Sequence, residues 1–140
     1  MSKMLRFIQL SGEDRAMLLR AFSSLVAWRM GLWLLPVRTL RQQARALKRR
    51  MRSEHTVDQV VWAISTAARY IPAATCLTQA LAAQSLLTRN GHCSQLHIGF
   101  AKGPDREFGA HAWVECDDRV VLGGSELERY TPLLAWEERP

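Results

Sequence analysis

Apolar residues in the first half of the chain recur at the 3.6-residue period of an α-helix. Ser11 suits a helix N-cap, acids follow it, and apolar positions then continue at helical spacing until Pro36. Residues 38–52 are rich in Arg, Ala, Gln, Leu and Lys, which predicts a second helix. Thr56 and Gln59 have the spacing of a capping box, so a third helix is predicted to begin there.

A fourth helix is predicted from about Thr75 to Thr88, before the pattern changes. Beyond this helix the period falls to two, because Leu96, Ile98 and Phe100 alternate with polar or small residues. An alternation of this kind is typical of a β-strand with one buried face.

Two further strands are predicted over residues 108–116 and 119–122, joined by a tight turn at Asp117-Asp118. The rest of the chain predicts a final short helix or turn. Its apolar residues are Leu127, Leu133, Leu134 and Trp136. The predicted fold class is therefore α+β: N-terminal helices are followed by a cysteine-bearing helix that packs on a small antiparallel sheet.

The two-residue turn also predicts which residues lie opposite each other in the last hairpin. Counting outward from Asp117-Asp118 sets His111 opposite Gly124 and Ala112 opposite Gly123. His111 then shares a face with Trp113 and Glu115, whereas Ala112, Val114 and Cys116 lie on the other face. Small residues beside His111 would leave room for the imidazole and for a substrate backbone.

Length and charge agree with one folded domain that has a basic N-terminal part. The 140 residues are 48% hydrophobic with a net charge of +6, and we predict a basic helical part at 1–55 and a core that holds the chemistry at 56–140. Between positions 38 and 52 the chain has seven arginines and lysines and no acid. Such a run is either a solvated helix face or a docking surface for an acidic partner or lipid headgroups, and no nucleic-acid partner is expected.

Cysteine usage and hydropathy favour the cytoplasm. Three irregularly spaced cysteines and the absence of a signal-peptide pattern at the N-terminus fit a reducing compartment. The most apolar window, 21–36, contains Arg29 and is shorter than the roughly 20 residues that span a bilayer. Trp28 and Trp33 with flanking arginines would nevertheless suit peripheral membrane association, although core or partner packing is the commoner use of such residues.

Cys76 and His111 are the candidate catalytic pair. A thiol at a helix start is favoured as the thiolate by the helix dipole and by unpaired backbone amides. A histidine on a neighbouring strand can remove the thiol proton and later protonate a leaving amine. The alternative for Cys76 is that of most free cysteines, a small buried apolar residue. Cys93 and Cys116 are not at the start of a predicted helix, so we interpret both as small apolar residues without a catalytic role.

A metal site formed by Cys93, His97, His111 and Cys116 is disfavoured by geometry. Cys93 and His97 would lie about 13 Å apart in an extended chain, and His111 and Cys116 point to opposite faces of their strand. The paired short spacings of a tetrahedral zinc site are absent from the sequence. We therefore expect no metal and no cofactor.

Four blocks of the sequence resemble the transglutaminase-like cysteine protease of lasso-peptide biosynthesis. The blocks are Cys76-Leu77-x-x-Ala80-Leu81-Ala82, Leu86-Leu87-x-x-x-Gly91-His92, Leu96-x-Ile98-Gly99 and Ala110-His111-Ala112-Trp113-Val114-Glu115. The resemblance covers essentially the whole chain and implies a transglutaminase/papain-like core.

The resemblance implies a leader peptidase with Cys76 as nucleophile and His111 as general base and acid. Such enzymes cut the leader from a ribosomally made precursor peptide, with no cofactor in that step. They act with a separate leader-recognition protein, and a macrolactam cyclase then uses the exposed amino terminus. The basic and tryptophan-bearing N-terminal helices would dock a partner, precursor or membrane, with Trp113, Arg45, Arg49 and Arg50 as candidate binding residues.

The sequence departs from this family where the histidine is oriented. The family often has an aspartate twelve residues after the histidine, and that position is Gly123 here. Glu126, Glu115, a backbone carbonyl or a water could orient the imidazole instead, because the orienting group need not be acidic. Two other functions stay open: transfer of the acyl group to an amine, and a non-catalytic scaffold in a peptide-modifying complex.

Overall fold

The computed structural model describes residues 8–36, 39, 55–71, 75–102, 108–124 and 130–138. These residues form three helices, α1 (Gly12–Leu34), α2 (Val57–Ala68) and α3 (Cys76–Arg89). They also form four strands, β1 (Ser94–Lys102), β2 (Phe108–Cys116), β3 (Arg119–Leu122) and β4 (Tyr130–Glu138). The order of helices before strands confirms the predicted α+β class. The predicted helix at 38–52 lies outside the described residues except for Thr39, so it stays a prediction, as do the roles of Arg45, Arg49 and Arg50. Glu126 and Leu127 lie outside the described residues too.

The helix starts are the ones that the capping residues predict. The Ser11 hydroxyl accepts a hydrogen bond from the Asp14 amide at 3.1 Å. Thr56 and Gln59 form the reciprocal capping box, with bonds of 3.2 and 2.9 Å. Because a side-chain oxygen satisfies one of the unpaired amides of the first turn, each cap fixes where its helix begins.

The sheet is antiparallel, with strand order β3-β2-β1-β4. The first three strands form a meander, and β4 returns to pair with the other edge of β1. The predicted final helix or turn is therefore wrong over residues 130–138. Leu133 and Leu134 are adjacent and both exposed, so this segment has no alternating pattern. The segment is a strand because its backbone pairs with β1. Pro132 is tolerated there because β4 is an edge strand.

The hairpin between β2 and β3 confirms the predicted turn but corrects the register. Asp117 and Asp118 have φ of 51° and 59°, as a type I′ turn requires. Glu115 pairs with Val120 as predicted, but Val114 then pairs with Leu122 and leaves one residue of β3 unpaired. Val114–Leu122 is the last pair of this hairpin and is one residue out of the predicted register, so the predicted pairings of His111 with Gly124 and of Ala112 with Gly123 are wrong.

One core joins the helices to one face of the sheet. Its fully buried side chains come from all three helices and from β1 and β2, and include Met17, Leu25, Ile64, Leu81, Leu87, Leu96 and Val114. Burying a side chain of this size contributes about 1.5 to 3 kcal/mol. α1 therefore belongs to the same core as the cysteine-bearing helix.

The two tryptophans of α1 have different environments. Trp28 is buried, and its indole nitrogen donates to the Ser85 hydroxyl at 3.1 Å, so it packs α1 onto α3. Trp33 is 79% exposed. Among the described residues, none of the helices combines the length and the hydrophobicity that crossing a bilayer requires.

Candidate active site

Cys76 is the first residue of α3. Thr75 is the N-cap, and its hydroxyl accepts from the Thr78 amide at 3.3 Å and lies 3.0 Å from the Thr78 hydroxyl. The Cys76 side chain is half-buried and packs against the edge of the core. The first turn of α3 contains no acid. The thiol is therefore at the positive end of a 14-residue helix, as the sequence predicts.

His111 lies on β2, and a backbone group on the neighbouring segment holds its ring. Its Nε2 is 2.7 Å from the carbonyl oxygen of Gly123. Because a carbonyl oxygen only accepts, Nε2 carries the proton and donates. In the neutral ring this leaves Nδ1 as an acceptor, the state that a general base needs.

Aromatic rings on the same face of the sheet pack around His111. The Tyr130 ring stacks on the imidazole with centroids 4.7 Å apart, and the Trp113 ring lies 6.1 Å away on a nearly parallel plane. His97 stacks on Trp113, with centroids 5.4 Å apart. Trp113 is only 4% exposed, so its ring supports its neighbours and offers little surface to a substrate. Its predicted role in substrate binding stays a prediction.

Gly99 makes room for this cluster. A Cβ atom at Gly99 would lie 2.9 Å from the Thr131 carbonyl oxygen and 3.0 Å from the Trp113 ring. A Cβ atom does not approach a carbonyl oxygen that closely, and 3.0 Å from a ring carbon is tighter than an ordinary van der Waals contact, so a side chain at this position would displace β4 or the indole. Glycine on the central strand β1 therefore allows rings from β2 and β4 to meet.

Glu115 lies four residues after His111 on the same face of β2, and its carboxylate contacts other side chains. One of its carboxylate oxygens accepts from the Trp113 indole at 3.3 Å, and the other lies 3.3 Å from His97 Nε2. Both interactions direct the carboxylate toward the His97 side of the cluster. Of the orienting groups that the sequence leaves open, the described structure thus shows the backbone carbonyl, at Gly123.

Cys76 and His111 lie at the same end of the molecule. α3 packs on β1 and β2 and leads into β1 through the short turn at 90–93, so the two elements run in opposite directions. The start of α3 is therefore near the end of β1, where β2 begins. His111 lies in that half of β2, because it pairs with Gly99 and the far end pairs Gln95 with Glu115.

The side chains of Cys76 and His111 nevertheless do not meet in this structure. Ala112 and Val114 are buried against the helices, so His111 points to the other face of the sheet. Within the described residues, the imidazole contacts Gly123, Trp113 and Tyr130, and Cys76 makes no hydrogen bond. The catalytic pair stays a prediction, with both members at one end of the sheet.

The other two cysteines have different surroundings. Cys93 is exposed, whereas Cys116 is buried and its thiol donates to the Cys93 carbonyl at 3.1 Å. Burial raises the pKa of the Cys116 thiol above its ordinary value of 9.0, and the nearby Asp117 carboxylate raises it further. Cys116 is therefore a protonated, structural thiol.

Sequence reasoning missed Tyr130 and the packing role of His97. Tyr130 belongs to the segment predicted not to be a strand, so nothing placed it near His111. The alternation of Leu96, Ile98 and Phe100 does place His97 and Gly99 together on the other face of β1. A glycine inside a strand is a signal that neighbouring groups approach its backbone closely, and Gly99 is such a glycine.

Comparison with known proteins identifies one family. A family model described as the transglutaminase-like superfamily matches residues 22–135, which extend from within α1 to within β4 and include Cys76 and His111. No curated protein and no solved structure matches the chain.

Proposed function

The chain belongs to the transglutaminase-like superfamily, whose activities are of the cysteine-peptidase or acyltransferase type, and on that premise we propose that it is a cysteine peptidase. In this proposal Cys76 is the nucleophile and His111 is the general base and acid. The substrate is a ribosomally made lasso-peptide precursor, from which the enzyme removes the leader. The four sequence blocks that resemble the leader peptidases support this choice of substrate.

The chemistry follows from the two groups. His111 takes the thiol proton, and the thiolate attacks the scissile carbonyl to give a tetrahedral oxyanion. The unpaired amides at the start of α3, including that of Cys76, are suitable donors to this oxyanion. The amine then leaves with the proton from His111, and water hydrolyses the thioester to release the leader's carboxylate and the free thiol.

One observation carries the proposal: Cys76 opens the helix that packs on the strand bearing His111. The N-cap Thr75 places the thiol at the helix start, and the topology brings that start to the His111 half of β2.

We also propose that the enzyme works with a separate leader-binding protein that docks on α1. α1 carries a second apolar face besides the one in the core, formed at helical spacing by Leu19, Phe22, Val26, Met30 and Trp33. All but Val26 are exposed, and Arg20 and Arg29 border the face. An apolar patch bordered by arginines on a chain of net charge +6 is complementary to an acidic partner with an apolar centre.

The test is reconstituted cleavage of a lasso precursor peptide in the presence of its leader-binding protein. Cys76→Ala should lower the cleavage rate by roughly 10³-fold or more, because it removes the nucleophile. The matched control is Cys93→Ala, which removes an exposed thiol away from any helix start and should leave the rate unchanged. Unchanged cleavage by Cys76→Ala, with its circular dichroism spectrum intact, would exclude the peptidase.

The same reaction separates hydrolysis from acyl transfer. With an added primary amine, mass spectrometry of the leader fragment should show a free carboxylate. A leader fragment carrying the amine would show that the thioester is resolved by aminolysis, as in an acyltransferase.

A further inference from the structure

We propose that His111 is positioned by the backbone carbonyl of Gly123 and by the ring of Tyr130, which together replace a side-chain carboxylate. The proposal deepens the peptidase function, because it assigns the group that fixes the tautomer of the general base. Both are positioning groups: they act through His111.

The hydrogen bond determines which ring nitrogen can take a proton. The distance of 2.7 Å between His111 Nε2 and the Gly123 oxygen is at the short end for a bond of this type. Since the carbonyl cannot donate, the bond forms only when Nε2 carries hydrogen. The neutral ring is then held with Nδ1 unprotonated, and among the described residues nothing competes for Nδ1.

The surroundings of Gly123 leave no space for a Cβ atom. Its φ is +77°, and a Cβ atom would lie 2.8 Å from the Ala112 oxygen and 3.1 Å from the Trp113 Cβ. An aspartate at this position could therefore not keep the same backbone. The Gly123 carbonyl, in the segment that directly follows β3, lies 2.7 Å from the ring nitrogen. Gly123 thus supplies a backbone acceptor at the position where the family that the sequence resembles often has a carboxylate.

Tyr130 stacks on the face of the His111 imidazole, whereas the Gly123 carbonyl bonds its edge. It reaches His111 from β4, two strands away, because Gly99 lies between them without a side chain. Stacking at 4.7 Å limits rotation of the imidazole about its χ angles, and the hydrogen bond alone would leave that freedom. The two contacts thus fix both the tautomer and the plane of the ring.

The direct test is the tautomer of His111, measured by long-range ¹H–¹⁵N correlation on the ¹⁵N-histidine-labelled full chain at pH about 8. The His111→Gln spectrum identifies the His111 signals among those of the four histidines. We expect a single Nε2–H tautomer. An Nδ1–H tautomer, or the mixture of both tautomers that free imidazole shows, would overturn the proposal. Because this measurement needs no substrate, it can fail or succeed independently of the peptidase function.

Kinetics in the reconstituted cleavage give a second test with a matched glycine pair. Gly123→Ala should lower kcat by about 10-fold or more with little change in KM, because the ring loses its orientation. Gly124→Ala is the control: this glycine is exposed, its φ is not positive, and an added Cβ meets only the Val120 side chain, with the Cγ1 methyl at 3.2 Å, and no backbone atom. Gly123→Asp should be as impaired as Gly123→Ala. A faster Gly123→Asp enzyme would show that a carboxylate, and not the carbonyl, belongs there.

The role of Tyr130 is tested with a conservative pair, which also covers the case in which Gly123 variants do not fold. Tyr130→Leu should lower kcat several-fold and broaden the His111 ¹⁵N signals, and Tyr130→Phe should restore both because it keeps the ring. Equal kcat values for Tyr130→Leu and the wild type would remove Tyr130 from the proposal.

Discussion

The three cysteines show how far single residues can be interpreted from their neighbours in sequence. The start of α3 at Cys76 follows from the capping residue Thr75. The burial of Cys116 follows from the strand face that it shares with Ala112 and Val114. Both features are local, so the sequence predicts them. The contact between His111 and the Gly123 carbonyl is not local, because it joins residues that are twelve apart and that meet only when β2 and β3 pair. The sequence could propose a backbone acceptor but could not identify Gly123.

Cys116 should make the stability of the protein depend on pH in the alkaline range. The folded state binds the thiol proton more tightly than the unfolded state does, because burial raises the pKa of Cys116. This contribution is fully present below the ordinary thiol pKa of 9.0 and decreases as the pH rises above it. Cys116→Ala should cost about 1 to 2 kcal/mol at neutral pH, and less in alkali. Urea unfolding at pH about 7 and about 10 measures both differences.

Cys93→Ala is the control for this experiment, because Cys93 is exposed. Its free-energy difference from the wild type should be small and should change less between the two pH values than that of Cys116→Ala. If the cost of Cys116→Ala also stays constant between the two pH values, the thiol is not protonated preferentially in the folded state.

At the scale of elements, the prediction succeeds where start and stop signals are local and fails where pairing is not. The caps at Ser11, Thr56 and Thr75 and the turn at Asp117-Asp118 are all in place. The sequence does not predict β4, because its residues show no alternation of apolar and polar positions. This segment becomes a strand because it pairs with the edge of β1 that β2 leaves free. For the same reason Tyr130 could not be placed at the site.

The cap of α3 should affect both stability and catalysis. Thr75→Ala removes the bond to the Thr78 amide and should lower the free energy of unfolding by about 1 kcal/mol. Because Cys76 follows directly, fraying of this helix end should also lower kcat several-fold. Thermal unfolding and reconstituted cleavage measure the two effects.

Thr56→Ala is the matched control, because it removes the equivalent cap from α2. Its cost in stability should again be about 1 kcal/mol, with kcat unchanged. Equal loss of activity in the two variants would mean that activity follows overall stability and not the position of Cys76.

At the scale of the whole molecule, α1 is apolar on two sides. One side, with Met17, Ala21 and Leu25, lies in the core, and the other, with Met30 and Trp33, is exposed. The spacing of apolar residues predicts the helix but does not distinguish the side that the fold covers from the side that it leaves exposed. That distinction depends on how α2 and α3 pack, which is a property of the complete chain.

Partner binding should activate the thiol. In the isolated chain no described contact joins Cys76 to His111, so Cys76 should react with iodoacetamide no faster than the exposed Cys93, and Cys116 should react more slowly than either. Adding the leader-binding protein without precursor should accelerate the Cys76 reaction by about 10-fold or more, because the proposed function requires the assembled enzyme to bring the thiol within reach of the base. Mass spectrometry of the three cysteine peptides over time measures all three rates.

The exposed face of α1 is the place where that activation can be blocked. The double variant Met30→Glu and Trp33→Glu adds charge to the apolar face, so the partner should no longer accelerate the Cys76 reaction, while the rate without partner stays the same. The double variant Ser23→Glu and Ala27→Glu is the control, since it adds the same two charges at exposed positions beside the face. Binding of the wild type to anionic vesicles, or its self-association through this face, would assign the face to lipid or to a second copy. A Cys76 that stays unreactive with the partner bound and no precursor present would leave only the scaffold function.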